Sequence, residues 1–447
     1  MDLSLDKIRT AVRGTAYEGD LYLVGGAVRD ELLELPPQAD VDLVTTGPVE
    51  PLVELLRPLS SIPPVVYERF GTAMLRIAET PVELVQARRE SYEGVSRKPQ
   101  VEPATLVEDA YRRDFTANSL MRRLSDDTLV DPTGRGLEDL RAKVLRTPLD
   151  PIETFQDDPL RMLRAVRFRW KLGFEPAPGL YDAIRQSAGR LSIVSEERIR
   201  DELRKMILQP TAPQAFADLM ELGLLDVFAP EFRPMVDCEQ GHWHHLDVWD
   251  HSLLVLSHVA ALRDETLSWA ALLHDVSKPE TRTVDAKGAT RFFGHEDVGA
   301  RKAGELLRHL RFSTREVEPI ARLVKNHMRL GSFETLSSSA ARRLLRDLGE
   351  DTERLLTLIE ADVSSLAPGV RKMDLTPIRA KLEEVRGETP AETLVSPLSG
   401  EEIMVLTGLP AGPEIGRIKA GLVEAILDGR LATGDKEGAA EMVRLLA

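Results

Sequence analysis

Cysteine is almost missing from this 447-residue chain. With Cys238 alone, an internal disulfide framework is excluded, and a reducing cytoplasm is the compartment that fits. Long apolar runs are missing as well: none approaches the roughly 20 residues a membrane helix needs, so no membrane partner is expected. The first residues, MDLSLDKIRTAVRG, lack the apolar core of a signal peptide, and export is not expected. A basic excess is also lacking. The formal net charge of −15 disfavours nonspecific binding to nucleic acid. Screening limits electrostatic reach to about 8–10 Å, however, so a local groove outweighs the whole-chain sum. The run Arg161–Lys171, RMLRAVRFRWK, holds five cations and no acid, which leaves a specific RNA site open. There is no internal repeat and no low-complexity tract. Histidine is confined: all nine lie between His242 and His327.

A chain of this length is expected to divide, because one hydrophobic core rarely grows beyond roughly 250–300 residues. Residues 1–145 mix strand and helix signals. LYLV (21–24) is a short apolar run ending at Gly25-Gly26, AVRDELLEL reads as a helix stopped by Pro36-Pro37, and VDLVTT reads as a strand. A helix follows at 50–57, then VVYERFGTAMLRIAE and PVELVQA read as a hairpin. Beyond about 150 the strand signals fade, and amphipathic helices such as DPLRMLRAVRFRWKLGF and SEERIRDELRKMIL dominate. Boundaries are expected near 145–150, 210–240 and 365–385, with EVRGETPAETLVSPLSG as a linker to a last helical piece. The fold class is α+β.

Two chemical centres stand out. In the first, a glycine pair between strand and helix lets backbone N–H groups approach a phosphate, and Arg29 lies near that helix start. Alone, such a turn is weak evidence. Asp40-Val41-Asp42 strengthens it, because residues i and i+2 of a strand share a face. Two adjacent carboxylates repel unless a cation sits between them, and Mg²⁺ takes carboxylate and phosphate oxygens. Glu83, from the neighbouring strand, completes the set. The bland reading is a solvent-facing strand edge. Downstream, the arginines of RRDFTAN are placed to bridge phosphate and ribose, and Asn118 to orient the acids. Asp158 and Arg161, three apart on one helix face, offer an acceptor beside a donor for a nucleobase. Arg164 and Arg167 continue that face as a basic stripe, which also reads as an ordinary solvated helix.

In order, LVGGAVRD, DVD, ARRESY, RRDFTAN, DDPLRMLRAVRF and SEERIRDEL resemble the class II tRNA nucleotidyltransferase and bacterial poly(A) polymerase family over roughly residues 20–210. The resemblance implies an N-terminal nucleotidyltransferase head (1–145), with a mixed β-sheet and helices. An all-α neck and body (146–235) follows. Asp40 and Asp42 would hold Mg²⁺, helped by Glu83, and these three would be catalytic. Gly25, Gly26, Arg29, Arg113, Asp114 and Asn118 would form the nucleotide site. Asp158 and Arg161 would read the base of CTP or ATP, with Arg164 and Arg167 alongside. The family usually has Glu-Asp before its Pro-Leu-Arg, whereas this chain has Asp157-Asp158. The implied reaction is in-line attack of an RNA 3′-hydroxyl on the α-phosphate, one Mg²⁺ activating the hydroxyl and a second stabilising pyrophosphate.

The second centre is the histidine cluster. His251 opens one apolar helical stretch, and the contiguous His274-Asp275 closes another. His295, His327 and Asp362 follow. A lone histidine in an apolar helix is usually a satisfied core residue, but this set suits a divalent metal with mixed N and O ligands, Mg²⁺ or a transition metal. The order resembles the HD-domain phosphohydrolases over about 240–365. That resemblance makes His251, His274, Asp275 and Asp362 metal ligands, with His295 and His327 available for a second metal or for phosphate. His244 and His245 are expected near the entrance. The HD domain would span 236–370 and a helical tail 371–447, where GLPAGPEIGRI starts a helix that is a candidate RNA-phosphate contact.

Together these readings point to a nucleotidyltransferase that builds or repairs the 3′-CCA end of tRNA. An HD domain with phosphatase or phosphodiesterase activity on 3′ ends would be fused to it. Its rivals are a poly(A) polymerase and an HD nucleotide phosphohydrolase with an RNA-binding N-terminal half. The Glu90–Arg112 segment, where the family carries a loop that helps switch from C to A, does not decide between CCA, CC and A addition. The oligomeric state is left open.

Overall fold

A computed structural model describes residues 2–37, 39–91, 100–241, 243–331, 335–370, 372–388 and 394–446. Parts of the 90–112 segment and of the linker, and His242, lie outside these described residues. The chain forms two compact units, residues 1–206 with 214–228, and 207–213 with 229–447.

The first unit opens with helix α1 (Asp2–Val12), then strand β1 (Tyr22–Val24), helix α2 (Gly26–Leu32), strand β2 (Val41–Thr45) and helix α3 (Val49–Leu56). Strands β3 (Val65–Tyr67), β4 (Thr72–Ile77) and β5 (Thr80–Gln86) follow. A separate hairpin of β6 (Arg88–Ser91) and β7 (Gln100–Pro103) leads to α4 (Leu106–Tyr111), β8 (Met121–Arg123) and β9 (Leu129–Val130). Seven strands make one mixed sheet in the order β3-β4-β5-β2-β1-β8-β9. β4 and β5 pair as the expected hairpin, while β5 runs parallel to β2.

Alternation along the strands explains why this sheet has two unlike faces. Val41, Leu43, Ala73, Leu75, Ile77, Val82 and Leu84 are all buried, packed with the apolar side of α3. The residues between them point the other way, among them Asp42 and Glu83. Helix α2 ends at Leu32, before the prolines rather than at them, and Glu34 already has a left-handed backbone.

Helices α5 (Gly136–Ala142), α6 (Pro151–Asp157), α7 (Leu160–Leu172), α8 (Leu180–Ser187), α9 (Glu196–Ile207), α10 (Ala212–Glu221) and α11 (Leu225–Phe228) follow. What holds α7 in place is a buried chain of charges. Asp114 Oδ1 accepts from the Phe115 N–H and from Asn118 Nδ2, both at 2.9 Å, and its Oδ2 accepts from Arg164 Nε at 2.8 Å. Asn118 Oδ1 in turn accepts from Arg29 Nη1 at 2.5 Å, and Arg29 Nε donates to Asp30 at 2.7 Å. On the far side Arg167 Nε donates to Glu202, which also lies 3.7 Å from Arg164. Three guanidiniums, those of Arg29, Arg164 and Arg167, surround the ring of Phe168 at 4.1–5.4 Å.

The basic stripe is therefore paired with acids, and only Arg164 of its three members is partly exposed. Arg167 is buried against Glu202, and Arg164 is tied to Asp114. Arg29, expected at the phosphates, is only 1% exposed and donates to Asp30 and Asn118.

The second unit continues with α12 (Val248–Val259), α13 (Glu265–Leu273), α14 (Lys278–Thr281), α15 (His295–His309), α16 (Thr314–Asn326), α17 (Ser338–Leu348) and α18 (Thr352–Ser364). The final helices form their own apolar cluster, which includes Ile403, Ile415, Leu422, Leu427 and Val443. The helix expected to greet an RNA phosphate begins at Pro413 and carries Glu414, paired with Arg417, in its first turn.

Burial alone would raise the Asp114 carboxyl, but Arg164 and Asn118 overcome that and hold it at about 2. Because the folded value lies below the unfolded one, its stabilisation is present above pH 4 and is lost as pH falls toward 2. Asp114→Ala should cost about 3 kcal/mol at pH 7 by leaving Arg164 and Asn118 without their acceptor. Urea unfolding at pH 7 and pH 3 tests this: the gap between variant and parent should narrow at the lower pH.

Candidate active sites

The first site lies on the face of the sheet opposite α3. Strand β2 carries Asp42, β5 carries Glu83, and the two are paired partners in the parallel register. Asp40 sits one step before β2, in a bend, so it is not a strand residue as the i, i+2 pattern predicted. It is nonetheless close enough for its charge to act on both other acids. Burial, then Glu83 and Asp40, push the Asp42 carboxyl up to about 6 against the pull of Arg113. Burial raises Glu83 too, with Arg88 opposing and Asp40 adding. Asp42 and Glu83 share one face and both feel the charge of Asp40, and carboxylates are the donors a hard divalent cation takes.

The glycine turn borders these acids. Gly25 has a φ of 69°, which a side chain rarely adopts, and a Cβ there would stand 3.7 Å from Arg113 Nη1 and 3.9 Å from Asp42 Oδ2. Helix α2 is only seven residues long, so the cation facing the turn is Arg113. Asp109 aims that cation. Its carboxylate is buried, with Oδ2 accepting from Arg113 at 2.9 and 3.1 Å and Oδ1 from Arg112 at 2.7 and 2.9 Å. Asp109 escaped the sequence reading, although acids three and four residues before two arginines on a helix are a visible signal.

The expected base-reading pair is arranged differently. Asp158 caps the gap between α6 and α7 with an extended backbone and accepts from the Leu160 N–H, so it does not share a helix face with Arg161. Its other oxygen lies 2.7 Å from Arg198. Arg161 is buried and donates to the carbonyls of Thr154 and Arg112. Asp114 and Asn118 are likewise buried, and serve the charge chain rather than the surface. Of the expected nucleotide contacts, Gly25 and Arg113 border the acids. Glu202, which neutralises Arg164 and Arg167 from α9, left no local trace in sequence.

The second site is assembled from helix ends. His251 lies in the first turn of α12, His274 follows the last residue of α13, His295 opens α15, His327 follows α16, and Asp362 stands near the end of α18. His251, His274 and Asp362 form one triad and Asp275, His295 and His327 another, each with ligand atoms within 4.8 Å of one another. Asp275 joins them. Its Oδ2 is 3.1 Å from His274 Nε2, and its Oδ1 is 3.4 Å from His295 Nε2 and 3.8 Å from His327 Nε2.

The imidazoles are prepared for ligation. Nδ1 of His274, His295 and His327 lies 2.8, 2.7 and 2.6 Å from the carbonyls of Ala271, Phe292 and Val324, so each Nδ1–H donates and each Nε2 lone pair turns inward. Burial, reinforced by His274, pulls His327 down to about 3 and keeps it neutral. Oδ1 of Asp275 and Nε2 of His274 are buried without a hydrogen bond, an arrangement a divalent cation would satisfy. Lys278, three residues past Asp275, contacts its Oδ2 at 2.7 Å and Gln240 at 2.6 Å. A cavity of about 550 Å³ opens onto this cluster, lined by His244, Trp243, Arg291 and Phe293 among others. His244 meets the expectation of an entrance residue, whereas His245 does not line the cavity.

Comparison with known proteins agrees with this architecture. The "poly A polymerase head domain" model matches residues 21–146, the "probable RNA and SrmB-binding site of polymerase A" model 173–235, and the HD domain model 248–366. An A-adding tRNA nucleotidyltransferase of Deinococcus radiodurans is 36% identical over 74% of this chain and 77% of its own. A CC-adding tRNA nucleotidyltransferase of Thermus thermophilus is 34% identical over 93% and 92%. This chain belongs to the tRNA nucleotidyltransferase family. The fold agrees with that of the Bacillus stearothermophilus CCA-adding enzyme solved with CTP, at a TM-score of 0.69 and 24% identity over 100% of this chain and 97% of that one. As a tRNA nucleotidyltransferase with an HD domain, the chain depends on divalent metal. No helix among the described residues is long and apolar enough to cross a membrane.

The raised Asp42 carboxyl gives a pH test of the acid cluster. An unfolded aspartate releases its proton near pH 4 and Asp42 near pH 6, so the folded state binds more protons between them and loses stability as pH rises. In chelator, Asp42→Asn should stabilise the protein by about 2 kcal/mol at pH 7.5 and by nothing at pH 4. Thermal melts at both values would refute the clustering if the two gains were equal.

Proposed function

We propose that this protein adds nucleotides to the 3′ end of tRNA, building or repairing all or part of CCA from CTP and ATP. The observation that carries the reading is the paired register of Asp42 and Glu83 beside the Gly25 turn and Arg113. Asp40, Asp42 and Glu83 are the residues that would hold Mg²⁺. The bound ion would supply Lewis-acid activation of the terminal ribose hydroxyl and charge neutralisation of the departing pyrophosphate. Arg113, aimed by Asp109, meets the phosphates, and the Gly25 turn admits them without a side chain in the way. Asp158, with Arg164 and Arg198 beside it, is the half-buried polar edge offered to a base. Arg161, Arg167, Arg29, Asp114 and Asn118 hold that edge from behind.

The working division is a head at 1–145, neck and body at 146–235, HD domain at 236–370 and tail at 371–447. For the second site we favour a metal-dependent phosphatase or cyclic phosphodiesterase acting on RNA 3′ ends. Its ligands are His251, His274, Asp275 and Asp362, with His295 and His327 for a second ion, and four imidazoles favour a transition metal over Mg²⁺. The single buried cysteine, Cys238, supports a cytoplasmic location.

Transcripts of tRNA ending before CCA, after C and after CC, each given CTP or ATP alone, identify the reaction. Additions that stop at the second C or at the terminal A of CCA are expected, and long A tails on generic RNA would overturn the assignment in favour of a poly(A) polymerase. Asp40→Ala with Asp42→Ala should lower addition by about 10³-fold. His274→Ala with Asp275→Ala should abolish phosphate release from 3′-phosphorylated RNA and leave addition within about twofold. Equal loss of both activities would make the HD domain a scaffold.

A further inference from the structure

Beyond Glu83, the same face of the sheet continues to its edge, and its chemistry changes. Paired residues on neighbouring strands share a face, so the registers define rows. One row runs Asp42, Glu83, Met74, Val65, and the next runs Val44, Val85, Thr72, Tyr67. Strands stand about 5 Å apart, so Met74 is about one strand spacing from Glu83 and Val65 about two. Met74 is 38% exposed, Val65 47% and Tyr67 49%, although their neighbours Ala73 and Leu75 on the other face are buried. An apolar strip left open next to clustered carboxyls, on an edge strand, is not needed by the core. Such surfaces mark ligand sites.

The two flanks of the acids differ in apolar content, although Arg88 donates to Thr72 on the β4 side and acts on Glu83. Toward β1 lie the Gly25 turn and the guanidinium of Arg113, suited to phosphates. Toward β4 and β3 lie Met74, Val65 and Tyr67, suited to a base and a sugar. In-line displacement requires attacking and leaving oxygens on opposite sides of the α-phosphate. With the phosphates of the incoming nucleotide on the Arg113 flank, the attacking hydroxyl must come from the other one.

We propose that Met74, Val65 and Tyr67 form a platform for the 3′-terminal nucleoside of the tRNA acceptor, seating its base so that its 3′-hydroxyl meets the acids. This rests on the nucleotide-adding reading above and adds the acceptor's position to it. Stacking suits the task, because every base has a π-face and the terminal base of a growing end changes with each addition. A hydrogen-bonding pocket would have to reject some of those ends.

The test uses the full-length protein, a tRNA transcript lacking CCA, and the same transcript with an abasic 3′-terminal nucleotide. Tyr67→Ala and Met74→Ala should each raise KM for tRNA about 5- to 100-fold, the range of base–aromatic stacking, with KM for the nucleotide and the melting temperature unchanged. Tyr67→Phe should match the parent. The abasic transcript should show the parent enzyme a similar penalty, and Tyr67→Ala should add little to it. A rise in nucleotide KM instead, an unaffected abasic transcript, or an equal further loss by Tyr67→Ala on that transcript would each overturn the platform. The last result would assign the strip to another part of the tRNA. Retained addition by Asp42→Ala would refute the underlying reading. Abolished addition by Asp42→Ala together with an inert Tyr67→Ala would refute the platform alone.

Discussion

A buried carboxylate with every lone pair engaged is the constraint on which the first unit turns. Asp114 receives the Phe115 N–H, Asn118 and Arg164, and through them it links the turn after α4 to helix α7. Isolated, that carboxyl would be raised by burial alone. Matched to Arg164, it stays ionised, and the ionised form makes the fork geometry worth having. The chain runs on through Asn118 to Arg29 and through Arg164 to Glu202, so head strands and arginine helix share one set of charges. Buried ion pairs are weak evidence of net stability. Their use here is orientation, since guanidinium and carboxylate planes tolerate little rotation.

The same chain also uses acids in the contrary way. Asp42 and Glu83 pair across neighbouring strands and burial raises both; Glu83 and Asp40 add to Asp42 against Arg113, and Asp40 adds to Glu83 against Arg88. Asp275 is buried, with only its Oδ2 met by Lys278 and its Oδ1 turned to His295 and His327. An acid that the protein completes by itself is structural, as with Asp114 and Asp109. One left incomplete at a surface or cavity is waiting for a cation. That contrast, rather than the number of acids, separates the two roles.

Much of this was legible in sequence because it depends on period. Alternation placed Asp42 on the face away from the core, and the hairpin of β4 and β5 brought Glu83 alongside, as expected. His274 fell at a helix end, where the apolar LSWAALL run stops. What failed depended on tertiary pairing. The cations of α7 looked solvated because their acids, Asp114 and Glu202, lie 50 and 35 residues away. Arg29 looked like a phosphate ligand for the same reason. The i, i+3 spacing of Asp158 and Arg161 implied one helix face, but Pro159 between them starts a new helix, so the residue before it is extended.

Helix ends also explain how the second site is assembled. A histidine just past a helix's last residue can donate its Nδ1–H to a carbonyl three residues back, one of those left free by the missing next turn. His274 and His327 both do so, which sets ring orientation and tautomer by local backbone geometry alone. Three further helices then need only bring His251, His295 and Asp362 to the same point. Because the core of this unit includes Trp269, Leu272 and Leu273 directly before His274, the packing that holds α13 also holds the ligand. The cluster is thus coupled to the hydrophobic core through one turn of helix, and a cavity made beneath that turn would loosen the ligands before it unfolded the domain.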